Sequence, residues 1–295
     1  MRKPRPSDVL LLCLLAAMWG ASFPAVKVAI AYLSTTSMVA LRLIVGMIVM
    51  TGLAFFLGRR PKLDRATWIT YVAVAAIGNL LPFLLIAHGQ RFIDAGLGAI
   101  LMATMPLATI VLAHLFTRDE KLTLRGVAGV LIGLAGILVL VGVDALKGLG
   151  ADVLGQLALT AAAMCYALHT LLARRMSGTS PFTNAAIVLA LAAGMGVALM
   201  LATEGPPPDL PLKAALAILF LGAFSNGLAY LIYFRLTGTV GVAFTAMTNY
   251  LVPVMGVMWS ALILGEVPSI RAIFALVLIL GGVAVAHLRL GPKKS

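Results

Sequence analysis

Ten long apolar runs separated by short polar breaks account for most of the 295 residues. They cover approximately 8–31, 36–58, 66–89, 94–116, 124–143, 152–173, 183–203, 212–234, 240–264 and 270–289. A helix that crosses a bilayer needs roughly 20 mostly apolar residues, and each run is about that long. Membrane β-strands would instead alternate apolar and polar positions over about 10 residues. These runs are too long and too evenly apolar for that. The pattern predicts an all-α polytopic membrane protein with ten transmembrane helices.

Composition agrees, with 62% hydrophobic residues, 11% charged and a mean hydropathy of +1.07. A soluble globular domain is excluded. The net charge of +12 would suit nucleic acid if it were clustered, but its distribution points elsewhere. With the N-terminus in the cytoplasm, sixteen basic residues face that side: Arg2, Lys3, Arg5, Arg59, Arg60, Lys62, Arg65, Arg118, Lys121, Arg125, Arg174, Arg175, Arg235, Arg289, Lys293 and Lys294. Only Arg91, Lys147, Lys213 and Arg271 fall on the other side. This bias predicts cytoplasmic termini and makes the bilayer, not nucleic acid, the macroscopic partner. The start MRKPRPSDVLLLCLLAAMWG has the basic head and apolar core of a secretory signal. Its run is too long and lacks a small-residue cleavage site, so it reads as a retained first span. Cys13 and Cys165 lie inside spans as packing residues, and no spacing suggests a metal or cofactor.

The chain also repeats itself. An offset of 147 aligns Pro106 with Pro253, Asn79 with Asn226, Phe83 with Tyr230, Trp19 with Tyr166 and Lys27 with Arg174. An offset of 146 aligns Glu120 with Glu266 and Gly136 with Gly282. Two five-helix repeats follow, 1–146 and 147–295. Because five is odd, the second enters the membrane inverted. Inverted repeats around a central cavity suit a secondary transporter, whose halves rock about a site at their interface.

MWGASFPAVKVAI with ALRLIVG, and the two stretches AGLGAILMATMPLATIVLAHLF and GVAFTAMTNYLVPVMGVMWSALILGE, carry a family resemblance. They resemble the ten-helix EamA-type branch of the drug/metabolite transporter superfamily. The resemblance covers nearly the whole chain. It implies a bacterial inner-membrane exporter of amino acids or similar small metabolites, including aromatic amino-acid exporters of the YddG type. The sequence departs from the family pattern at Asp119, Glu120 and Lys121, where a Gly-Glu pair is usual, and at Tyr166, where Trp is common.

Lys27 and Arg42 are the two cations placed within spans. An ionised group there is costly unless a partner, water or ligand meets it. Both fall in the outer third of helices joined by a short link, where they could attract a carboxylate, with Arg able to grip it bidentately. The alternative is structural, with Lys27 snorkelling to headgroups and Arg42 capping carbonyls. Nearer the midplane lie Trp19, Ser22, Asn79, Tyr166, His169, Asn226, Tyr230 and Asn249 as candidate substrate-binding residues. The asparagines either bridge helices or line a cavity. The rings fit a partly apolar, partly wet pocket. Pro24, Pro82, Pro106 and Pro253 each interrupt a helix, remove a backbone donor and are candidate hinges. The glycines of spans 5 and 10 predict close helix packing.

All ten acidic residues lie at span ends, which disfavours a midmembrane carboxylate relay. His169, or His88 and His114 nearer the ends, can titrate near neutral pH, whereas facilitated diffusion or exchange needs no such group. An intramembrane enzyme is the remote alternative, because the four histidines are scattered without acidic neighbours. A multidrug or other metabolite permease is the nearer one. The expected partner is a small-molecule substrate, and a monomer is sufficient.

Overall fold

The computed structural model describes residues 2–57, 68–117, 123–145, 150–174, 176, 180–207 and 209–287. Glu120, Lys147, the basic links at 59–65 and 118–121, and the tail at 289–294 lie outside the described residues. Ten helical rods follow in order: α1 (Pro6–Ile30), α2 (Thr35–Phe56), α3 (Trp68–Gly89), α4 (Ala95–Phe116) and α5 (Leu124–Ala145). Then come α6 (Ala151–Ala173), α7 (Pro181–Thr203), α8 (Leu212–Thr239), α9 (Val242–Leu264) and α10 (Ile270–His287). Eight are long and apolar enough to cross a membrane, and α5 and α10 carry the shorter apolar stretches Leu124–Leu140 and Ile270–Ala286.

Side chains close the exposed helix starts. Asp8 in the first turn of α1 accepts the Arg5 N–H at 2.8 Å and both Arg2 guanidinium nitrogens at 2.5 and 2.7 Å. Ser34 Oγ accepts the Ser37 N–H at 3.1 Å to begin α2. Glu266 reaches across the molecule to the start of α4, taking the N–H groups of Ala95 and Gly96 at 3.0 and 2.9 Å. Each satisfies donors that a helix leaves open and that lipid cannot satisfy.

The packing repeats as the sequence does. α5 lies along α10 and α2 along α7; α1 packs on α8 and α9 as α6 packs on α3 and α4; α4 meets α9. Adding five to every label maps this set onto itself, so the fold is two inverted five-helix repeats about a common centre. Without a hydrophobic drive between helices in lipid, close approach supplies the contact energy. α5 and α10 show how: a Cβ on Gly129 would sit 2.4 Å from the Gly282 carbonyl oxygen, and one on Gly282 2.5 Å from that of Gly129. Outward faces stay apolar, with Phe55, Phe56, Ile69 and Leu262 exposed. They suit lipid contact.

Two details differ from the sequence reading. α8 continues to Thr239 rather than stopping near 234, because Arg235 is exposed at a helix end where a charge is cheap. Pro24 and Pro253 lie inside helices that run through them, instead of interrupting them. The break in α9 falls earlier, at 246–247. A proline removes one helical bond, and packing on both sides can hold the rod through it. Pro106 does stand at a break, just after 103–104 in α4.

Candidate functional site

α3 and α8 each contain a widened turn at equivalent places. In α3 it spans Ala76–Leu80 and in α8 Phe220–Leu228. Such stretches leave backbone carbonyls without their usual partners. Pro82, one turn after the first, contributes by lacking an N–H. A ring from the opposite repeat meets each stretch. Trp19 on α1 donates its indole N–H to the Ser225 carbonyl at 3.2 Å. His169 on α6 hydrogen-bonds with the Val74 backbone just before the α3 stretch. Its imidazole lies so close to Gly78 that a Cβ there would fall 1.9 Å from Nδ1. Only glycine fits at that position.

Arg42 on α2 points into the α8 stretch. It is 5% exposed, donates to Asn226 Oδ1 at 3.0 Å, and stacks its guanidinium 3.7 Å from the centre of the Phe83 ring. Tyr166 and Tyr230 are near enough to feel its charge. Arg42 Nε and Asn226 Nδ2 are buried without partners. No carboxylate pairs with this cation among the described residues. A buried guanidinium with only neutral neighbours retains strong attraction for an anion.

One aromatic wall runs along α8. Trp19 meets Tyr230 edge-on at 6.4 Å and Tyr233 at 5.8 Å, and Tyr230 stacks on Phe234 at 5.8 Å. The structure thus gathers Trp19, Arg42, Tyr166, Asn226 and Tyr230. Asn79 and His169 lie at the related α3 stretch, where Asn79 is 2% exposed.

Other candidates stand apart. Lys27 Nζ donates to the Gln90 and Ile93 carbonyls, both at 2.7 Å, and so ties α1 to the α3–α4 link. Gln90 is seven residues beyond Phe83, about 10 Å along the helix, so Lys27 and Arg42 have different neighbours. It is Lys27, not Arg42, that caps carbonyls. Ser22 Oγ bonds to the Trp19 carbonyl of its own helix at 2.5 Å. Asn249 is half-buried beside the α9 break. His88 packs edge-on against Phe92, 5.2 Å away. No group of three metal-ligating side chains occurs among the described residues.

Phe83 was visible in the sequence only as the repeat partner of Tyr230. Its spacing could have revealed more, since Asn79–Phe83 and Asn226–Tyr230 share an i, i+4 pattern that puts each pair on one helix face. Glu204 gave no such signal. At the end of α7 it binds Ser34 Oγ and, at 3.3 Å, Ser37 Oγ, while Arg91 bonds the Leu33 carbonyl at 2.8 Å and Thr35 Oγ1 at 3.1 Å. Slight burial opposes the shift, but hydrogen bonds from Ser34, Thr36 and Ser37 and the charge of Arg91 hold the Glu204 carboxyl below its ordinary range.

Comparison with known proteins matches the EamA-like transporter family model at residues 7–142 and 153–288. A Pseudomonas aeruginosa relative, uncharacterized protein PA1977, is 31% identical over 257 residues, covering 86% of this chain and 84% of its own. The uncharacterized transporter YoaV of Bacillus subtilis is 23% identical over 90% of this chain and 91% of its own. A protein of Salmonella typhimurium named a probable amino-acid metabolite efflux pump is 24% identical over 94% of both chains. Solved structures share the fold, among them one with a TM-score of 0.68 and 22% identity that covers 97% of this chain and 99% of its own.

Proposed function

Since the chain belongs to the EamA-like transporter family, we propose that it is a secondary transporter that exports amino acids or similar small organic solutes by alternating access. The observation that carries the reading is Arg42: a buried cation with neutral neighbours beside an aromatic wall. In this reading the solute carboxylate replaces Asn226 as the guanidinium's partner and its apolar part lies along Trp19 and Tyr230. The basic bias of one set of links supports cytoplasmic termini and a bacterial inner-membrane location. Similarity to a probable amino-acid metabolite efflux pump supports the solute class. Acids remain at helix ends, which favours exchange or facilitated movement over a carboxylate relay.

The test is uptake of a panel of radiolabelled amino acids into liposomes containing the purified protein, beside an Arg42→Ala variant. Selective flux that falls at least tenfold in the variant is expected. No selective flux across the panel overturns the amino-acid reading. Equal flux in wild type and variant overturns the role of Arg42 alone.

A further inference from the structure

A polar pocket opens between α4, α5, α6, α9 and α10, on helices other than α2 and α8, which hold Arg42 and Asn226. Its volume is about 230 Å³, and Asp94, Gly96, Gln156, Ser260, Glu266 and Arg271 are among the residues lining it. Ser260 and Gln156 are 1% and 6% exposed, yet Ser260 Oγ and Gln156 Oε1 are buried without hydrogen-bond partners. Unpaired polar atoms in a pocket wall are costly and are relieved by a ligand that can bond to them.

Charge sets the sign of that ligand. Asp94 makes no cap bond with its side chain, and Glu266 stands beside it, bound to the first N–H groups of α4. Arg271 supplies one opposing charge, with its Nε held 2.5 Å from the Val139 carbonyl. Among the charged residues that line the pocket, two carboxylates stand against one guanidinium. Gly96 forms part of the floor: a Cβ there would lie 3.5 Å from Ser260 Cβ and 3.6 Å from Glu266 Oε2, in ordinary contact. A methyl group would therefore just fill the gap beside both polar groups.

From these features we infer that the pocket is a binding site for the ammonium end of a small organic solute. Gln156 Oε1 and Ser260 Oγ accept its N–H groups, Asp94 and Glu266 neutralise its charge, and the apolar side of the pocket receives its carbon skeleton. The volume exceeds what a bare alkali ion needs for a close oxygen cage. The assignment rests on the reading of this protein as a carrier of ammonium-bearing solutes, and makes this pocket a station separate from the carboxylate-reading Arg42.

The test measures labelling and needs no transport. Ser260→Cys is introduced into the full chain with Cys13→Ala and Cys165→Ala, and reacted with 2-aminoethyl or 2-sulfonatoethyl methanethiosulfonate. Relative to their rates with free 2-mercaptoethanol, the ammonium reagent is expected to react about tenfold faster than the sulfonate, because the lining holds more carboxylates than cations. Asp94→Asn should bring the ratio toward one. Ethylammonium chloride or L-leucine should slow the labelling, and sodium chloride at the same concentration should not. Equal reagent rates, no protection, or equal protection by sodium overturns the assignment. If Ser260→Cys does not fold, Gln156→Cys carries the same measurement. A protein that shows protected labelling but no flux keeps this site and loses the transport reading. One that transports without protection does the reverse.

Discussion

The widened turns of α3 and α8 occupy equivalent places in the two repeats, and each receives a ring from the opposite repeat. Each also carries a buried asparagine four residues before an aromatic ring. The helices packed on them correspond as well, α2 on the α8 stretch and α7 on the α3 stretch. One residue separates the two sides in charge. α2 brings Arg42, while the offset of 147 places Leu189 at the matching position of α7 (42 + 147 = 189), where it is 1% exposed. Duplication supplied the same scaffold twice, and a single side chain made one face cationic. In the proposed mechanism that inequality decides which face receives the solute carboxylate.

Replacing Arg42 with the second repeat's own residue is the strongest way to break the comparison. Arg42→Leu should fold, because leucine already fills the equivalent site, but initial transport rates in liposomes should fall between tenfold and a hundredfold. This is the range expected for loss of a charge-assisted contact. Arg42→Lys should recover part of the rate, since it keeps the charge and loses the planar fork. Unchanged rates in Arg42→Leu would show that the cationic face has no part in recognition.

Much of this asymmetry was legible before any coordinates. Ten runs, an odd number per repeat, and paired Asn79 and Asn226 required only hydropathy and self-comparison. Arg42 stood out as a charge within a span. What the sequence concealed was direction. Lys27 looked equivalent to Arg42 because both are cations at similar depth, yet Lys27 reaches the carbonyls that end α3. A terminus two spans further along the chain gives no local signal at Lys27. The π-type turns were hidden too, and the closeness of His169 to Gly78 shows only in the fold. Glu266, by contrast, was flagged only by its match to Glu120, and its cap on α4 depends on tertiary contact.

The rings that meet the two turns offer a second, smaller contrast. Gly78 corresponds to Ser225 (78 + 147 = 225), so the α8 turn tolerates a Cβ where the α3 turn has none. Gly78→Ala drives a methyl into the His169 imidazole and should cost about 1–3 kcal/mol, the range for overpacking. Ser225→Ala keeps its Cβ and should cost less. Thermal inactivation midpoints in detergent would compare them, and His169→Ala should restore much of the loss in the Gly78→Ala background. Equal losses at 78 and 225 would mean that the two turns are packed alike. Next in size is Trp19→Phe. It retains the ring and deletes the donor to the Ser225 carbonyl, for a loss of about 1 kcal/mol by the same measurement.

The smallest expected effect concerns a tie that only the second repeat makes among the described residues. Glu204 at the end of α7 corresponds to Leu57 at the end of α2 (204 − 147 = 57), so only α7 closes on the serines of the α1–α2 link through a carboxylate. Its folded-state pKa is lowered, so the stabilisation is present above the usual carboxylate value of about 4.3 and is lost as pH falls through the lowered value. The residue is exposed, so screening leaves the effect well under what a buried pair would give. Thermal midpoints measured from pH 7 down to pH 3 should drop slightly more for wild type than for Glu204→Gln, with the two curves converging at the acidic end. A constant difference across that interval would mean that Glu204 acts through its shape rather than its charge, and that the asymmetry at this end of the bundle is one of packing alone.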